Sequence, residues 1–191
     1  RKGLARLLGD GSVDLAFDPG TGPNGTVQAL LELSGGRFLV VGQFDRFNGA
    51  VVPGLVRITT AGAVDPTFAA DLPVPSGAGA SIPVLERFHT TVIALQGGGY
   101  LLGGRAGIVA LSSSGTPNPQ SILPTVGSVN ALMQQFNGGI LVGGDFTLIN
   151  GFVRPRMARL QTTFALDLTF NVGAGPNGVV QSLLRSPEGA I

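Results

Sequence analysis

The sequence predicts an all-β fold, a β-propeller of four-stranded blades, and three observations carry that reading. Short motifs return at multiples of about 51 residues. Each unit splits into short apolar runs separated by Gly, Asn and Pro. The runs carry apolar side chains on both faces, as strands packed on two sides must.

The repeat is read from several motifs. Leu4-Ala5-Arg6-Leu7 returns as Leu55-Val56-Arg57-Ile58, Ile108-Val109-Ala110-Leu111 and Met157-Ala158-Arg159-Leu160, in steps of 51, 53 and 49 residues. Asp14-Leu15-Ala16-Phe17 returns as Asp65-Pro66-Thr67-Phe68 and Asp167-Leu168-Thr169-Phe170. Gly22-Pro23-Asn24-Gly25 returns as Gly175-Pro176-Asn177-Gly178. Gly42-Gln43-Phe44 with Asn48-Gly49 returns as Gly144-Asp145-Phe146 with Asn150-Gly151.

Within a unit the elements follow in order. Strand A is Val27–Leu33, and Ser34-Gly35-Gly36 turns the chain into strand B, Arg37–Gly42. A longer loop carries Asn48-Gly49 and Pro53 before strand C, Leu55–Thr59. Ala61-Gly62 then turns into strand D, which ends at Phe68. Gly, Asn and Pro supply the backbone angles such turns need. Four strands in about 50 residues fit a propeller blade better than the shorter coils of a β-helix. A barrel or sandwich gives no reason for the register.

The chain is read as one repeat domain over 1–191, about 3.7 units. Residues 1–26 end one blade, 27–68, 89–122 and 129–170 are blades, 69–88 is a loop insertion, and 171–191 start the next blade. Closed rings take about 4 to 8 blades. The expectation is a partial propeller, with the remainder of a larger polypeptide supplying the rest.

Composition narrows the function classes. Charged residues are 12% and the net charge is +1, so no bulk field favours nucleic acid or an acidic membrane surface. There is no cysteine, which excludes disulfides and thiolate metal sites. No apolar run approaches the length of a membrane-spanning helix, so no membrane insertion is expected. The start, Arg1 to Leu8, has an apolar part too short for a signal peptide and belongs to the repeat.

Ile140–Phe146, Asn150-Gly151, Arg156–Leu160, Asp167–Phe170 and Gly175–Gly178 together resemble the delta-60 repeat, a bacterial family of β-propeller repeats. Leu4–Leu7 with Asp10–Asp14 is similar to it too. The resemblance covers nearly the whole chain and is weakest over 69–88 and 112–126. It implies the fold and an extracellular or cell-surface location, and it brings no catalytic residues.

Arg6, Arg57 and Arg159 form one column, and Asp14, Asp65 and Asp167 another, eight residues later. Ala110 and Asn118 replace both in the remaining unit. Loss of both together points to a structural pair across the C–D hairpin, a charge-assisted hydrogen bond. Asp10–Asp14 could be read as a calcium loop, but its first carboxylate does not recur, so a hairpin turn is the preferred reading. Gly97–Gly99 lies in a turn between strands, so it is no phosphate loop. His89 is the only histidine and takes the place of Val27 in its unit.

Gln28, Thr90, Asn130 and Gln181 share a column in strand A, read as a polar ring beside a central channel. Length variation falls in the B–C and D–A loops, which lie on one face of an antiparallel meander. Arg46, Phe47, Arg87, His89, Phe152, Arg154 and Arg156 are the candidate binding residues there. No metal, cofactor or catalytic set is expected. The resulting expectation is a non-enzymatic binding or structural module contacting a protein or glycan. A polysaccharide-active enzyme, using two of Asp45, Asp71, Glu86 and Asp145 at about 5 to 9.5 Å spacing, is the first alternative. A structural spacer in a large surface protein is the second.

Overall fold

The chain is described by a computed structural model over residues 3–68, 70, 89–105 and 107–186. Apart from residue 70, the insertion read at 69–88 lies outside the described residues.

Three antiparallel three-stranded meanders form the body of the chain. The first joins β1 (Thr26–Glu32), β2 (Phe38–Gln43) and β5 (Leu55–Ile58). The second joins β6 (His89–Ala94), β7 (Tyr100–Gly104) and β8 (Gly107–Leu111). The third joins β10 (Val129–Gln134), β11 (Ile140–Gly144) and β14 (Met157–Leu160). These are strands A, B and C of the repeat. Strand D is shorter than the sequence predicts: one bridge each, Ile58 to Val64 and Leu160 to Leu166, marks it in the outer two units.

The aspartate column explains the shortening. Asp65 Oδ1 accepts the Thr67 N–H (2.9 Å) and hydroxyl (2.6 Å), and Asp167 does the same with Thr169 (2.9 and 2.6 Å). Such a side chain bonded two residues ahead curls the backbone out of the ladder.

The sheets stack with side chains shared between them. Leu39, Val41 and Leu55 of the first sheet meet Val92, Leu102 and Val109 of the second. Leu101, Ile108 and Ala110 of the second meet Leu132, Ile140 and Val142 of the third. Adjacent residues Leu101 and Leu102 thus serve opposite faces of β7, as a strand's two-residue period requires. Leu4 and Phe17 cover the far side of the first sheet, against Val40 and Val56. Successive sheets approach most closely at their first strands: β1 and β2 against β6, then β6 and β7 against β10. Blades converging on strand A are the propeller arrangement.

Close approach there depends on Gly103. A Cβ on Gly103 would lie 2.6 Å from Cγ1 of Val129, the first residue of the next strand A. Gly143 seats Val180 in the same way. Each strand A also carries a bulge, with Gln28, Thr90 and Asn130 as the extra residues. Thr90 uses its place to donate from Oγ1 to the carbonyl of Val129, 2.8 Å away in the next sheet.

The arginine column adds a clasp on the opposite edge. Arg6, Arg57 and Arg159 donate from Nε to Oδ2 of Asp14, Asp65 and Asp167 at 2.7, 2.8 and 2.7 Å. Each guanidinium also lies over a ring, Phe17, Phe68 or Phe170, at 5.1, 4.9 or 4.7 Å. Two of them reach further. Arg6 Nη1 donates to the Thr60 carbonyl (2.6 Å) and Arg57 Nη1 to the Ser113 carbonyl (2.8 Å), each in the C–D turn of the following unit. At Gly62, in the first of those turns, a Cβ would meet the Asp18 carbonyl carbon at 2.8 Å, so the turn abuts the preceding unit.

Burial ranks the three pairs. The Arg57 side chain is 7% exposed, against 35% for Arg6 and 30% for Arg159. Removing one partner of a buried pair costs about 3–5 kcal/mol, whereas an exposed pair contributes about 1 kcal/mol or less. Arg57→Ala is therefore expected to lower stability several-fold more than Arg6→Ala or Arg159→Ala in urea titration. Equal losses at all three positions would refute the ranking.

Candidate functional site

The B–C loops fold into hairpins. Arg46–Phe47 (β3) pairs with Ala50–Val51 (β4), and Leu148–Ile149 (β12) pairs with Phe152–Val153 (β13). Asn48-Gly49 and Asn150-Gly151 make the two-residue turns, with φ of 49° and 81° and of 50° and 80°. Two positive φ values in sequence are what a type I′ turn requires, and Asn-Gly meets that at least cost.

The D–A loop is sewn onto each hairpin. Thr125–Val126 (β9) pairs with β12, and Pro23 bridges Phe47 at the equivalent place. Asn24 donates from Nδ2 to Asp45 Oδ1 (2.6 Å) and accepts the N–H groups of Asp45 and Arg46 (3.2 and 3.1 Å). Asp145 accepts the Ser128 N–H in the other unit. Both aspartates therefore close loops, each in its own unit. Asp71 and Glu86 lie outside the described residues.

Hairpin parity sorts the side chains. Phe47 and Ile149 point inward and are 0% exposed. Phe47 is thus a core residue, edge-on to Phe44 at 6.3 Å, and corrects the expectation that it lies on the binding surface. The outward row in the third sheet's unit is Val126, Leu148 and Val153, directly opposite one another across β9, β12 and β13. Val126 is 57% and Val153 69% exposed. In the first unit the matching row is Arg46 and Val51, the latter 74% exposed. Residues 20–24 with Arg46 and Gly49 line an open recess of about 500 Å³ beside it.

The other candidates divide. Phe152 is exposed at the hairpin tip. Arg154 is half-buried and bonds the carbonyls of Val153 (3.0 Å) and Leu168 (3.4 Å), while its Nε has no partner among the described residues. Arg156, at φ 65°, donates from Nη1 to the Pro176 carbonyl (3.0 Å), tying the next D–A loop down. Arg87 lies outside the described residues. Gln28 and Gln181 are exposed and Asn130 half-buried, while Thr90 is occupied with Val129. Asp10 bonds the Ser12 hydroxyl (2.6 Å) and N–H (2.9 Å), which hold its carboxyl below the ordinary value and make the segment a hairpin turn.

His89 is not on the surface. It opens β6 opposite Gly104, is buried, and its Nδ1 has no hydrogen-bond partner among the described residues. Burial pushes its pKa from 6.5 down to about 4. Position in the repeat would have flagged this, since Val27 and Val129 occupy the same column and Val129 is buried.

Residues 35–68 and 135–170 match the family described as a domain of unknown function, DUF5122, with a β-propeller fold. The match agrees with the resemblance to the delta-60 repeat. No curated protein and no solved structure matches the chain.

The His89 environment sets an acid sensitivity. The unfolded chain takes up a proton near pH 6.5 and the folded chain only near 4. Stability therefore falls as pH drops through that window, by on the order of 3 kcal/mol in total. Asp65 and Asp167, held at about 2 chiefly by the threonine hydroxyls beside them and also by their arginines, lose their contribution only below 3.8. His89→Val is expected to flatten the stability profile between pH 6.5 and 4 and to leave the steeper fall below it. An unchanged profile between those values would show that His89 is solvated.

Proposed function

We propose that this chain, which carries repeats of the DUF5122 β-propeller family, is a non-enzymatic binding module of a secreted or cell-surface protein. Its contact surface is the hairpin side of the sheets, where the B–C and D–A loops meet, and its partner is a protein or a glycan. The observation that carries this reading is the outward row Val126–Leu148–Val153, with Arg46 and Val51 at the matching place in the first unit. Apolar side chains set side by side on a hairpin, with Phe152 and Arg154 next to them in the third sheet's unit and Arg46 opposite Val51 in the first, have the composition of an interface. The row favours a protein over a glycan, because its outward surface offers few hydrogen-bonding groups.

The polysaccharide-active alternative finds less support. Asp45 and Asp145 are each engaged by their own loop, and two catalytic carboxylates would have to face one another across a bond.

Two readouts test the proposal. A photo-crosslinking residue placed at Val153 or Val51 of the intact protein, in the cells that produce it, should yield a discrete adduct. The same residue at Gly97, on the A–B turn, should yield none. Incubation with polysaccharides should release no reducing ends. Absence of adducts from both hairpins would overturn the placement of the surface, and reducing ends lost on Asp45→Asn would overturn the non-enzymatic reading.

A further inference from the structure

The clasp is missing from one unit, and the space it leaves has been rebuilt. Between Ala110 and Ser121, all three clasp positions differ from the other hairpins: Ala110, Asn118 and Ser121 stand where arginine, aspartate and phenylalanine stand elsewhere. Ser121 Oγ now accepts the Ala110 N–H (2.8 Å) and donates to the Asn118 carbonyl (2.7 Å). Asn118 Oδ1 accepts the Gln120 N–H (3.0 Å). A fourth change comes from the next unit. Phe164 occupies φ 66°, where the equivalent turn residues are Gly11, Gly62 and Gly115 at 85°, 94° and 97°. A bulky residue in the left-handed region is strained, and such strain persists where surrounding structure and function hold it.

What results is a recess of about 340 Å³ on the A–B and C–D side, away from the hairpins. Leu95, Pro117 and Phe164 supply its apolar walls, and Ser112, Thr116 and Asn118 its polar groups. No charged side chain among the described residues lines it. The hydroxyls form a chain: Ser112 Oγ to Ser114 Oγ at 2.8 Å, and Ser114 Oγ to Thr116 Oγ1 at 3.3 Å. Hydroxyls donate and accept by turn.

We propose that this recess binds the pyranose ring of a neutral sugar. A pyranose presents a C–H face that packs on an aromatic ring and an edge of hydroxyls that need both donors and acceptors. Phe164 provides the first, and Ser112, Thr116 and Asn118 provide the second. The volume, at the small end of ligand pockets, suits one ring. Neutrality follows from the loss of both Arg and Asp from the slot. This site is independent of the hairpin surface and stands or falls separately from it.

Saturation-transfer NMR on the intact protein tests the site. The probes are the methyl glycosides of glucose, galactose, mannose and N-acetylglucosamine, with methylguanidinium as the cationic control. At least one glycoside should receive saturation, with a millimolar dissociation constant. Binding should weaken by about ten-fold or more in Phe164→Gly, which installs the residue that the other turns carry, and should weaken in Thr116→Val. It should be unchanged in Glu32→Gln, an exposed position at the end of β1 in the first sheet. The proposal is overturned if no glycoside receives saturation from the unaltered protein, if Phe164→Gly binds as well as the unaltered protein, or if methylguanidinium alone binds, which would mark the recess as an unfilled arginine slot.

Discussion

Arg57, like Arg6, faces three ways at once, and the stacking of the units depends on that. Its Nε and aspartate close the C–D hairpin of its own unit, a phenylalanine covers its face, and Nη1 reaches a carbonyl in the next unit's turn. An isolated guanidinium is costly to bury; here the carboxylate, the ring and the carbonyl together replace its water. The reach is directional, from one unit to the one after it. Because the receiving carbonyl belongs to a turn of constant length, the clasp sets the spacing between neighbouring sheets as well as the shape of one hairpin. At the strand-A edge, the Gly103 and Gly143 seats do the complementary task, letting the next strand come close.

That division frees the other end of each sheet. The A–B and C–D turns are held by clasp and packing, whereas the B–C and D–A segments leave the sheets after strand B and fold on their own as small hairpins. The first and third sheets' units carry such hairpins; in the second, β7 passes to β8 through a short turn. A scaffold whose register is enforced at one edge tolerates variation at the other, and this is the physical basis for placing a contact surface there.

Much of this was legible in the residues. The Arg and Asp columns, eight apart and lost together in one unit, announce a pair, and the pair is there in all three hairpins that keep both. The Asn-Gly dipeptides announce tight turns. Other features depend on geometry that composition does not carry. The phenylalanine of the clasp looks like ordinary core in the sequence, and only its ring stacked under a guanidinium shows its second role. Its place in a loop predicts Phe47 at the surface, but once Asn48-Gly49 forms a two-residue turn, pairing parity sends Arg46 outward and Phe47 inward. Strand D is cut short by the same aspartates that pin it. The polar column of strand A marks a bulge, which no periodicity reveals because the bulge itself breaks the period.

The most direct test of the clasp as an inter-unit link is native-state hydrogen exchange on Arg57→Ala. The amides of Ser112 and Gly115, bonded within the next unit's turn to the carbonyls of Thr116 and Ser112, report on the receiving side. If the clasp couples units, their protection falls together with that of Thr59 and Asp65 in the donor hairpin, while Leu141 and Val142 in the third sheet keep theirs. If only Thr59 and Asp65 lose protection, the arginine serves its own hairpin alone and the account of how the units are held in register is wrong.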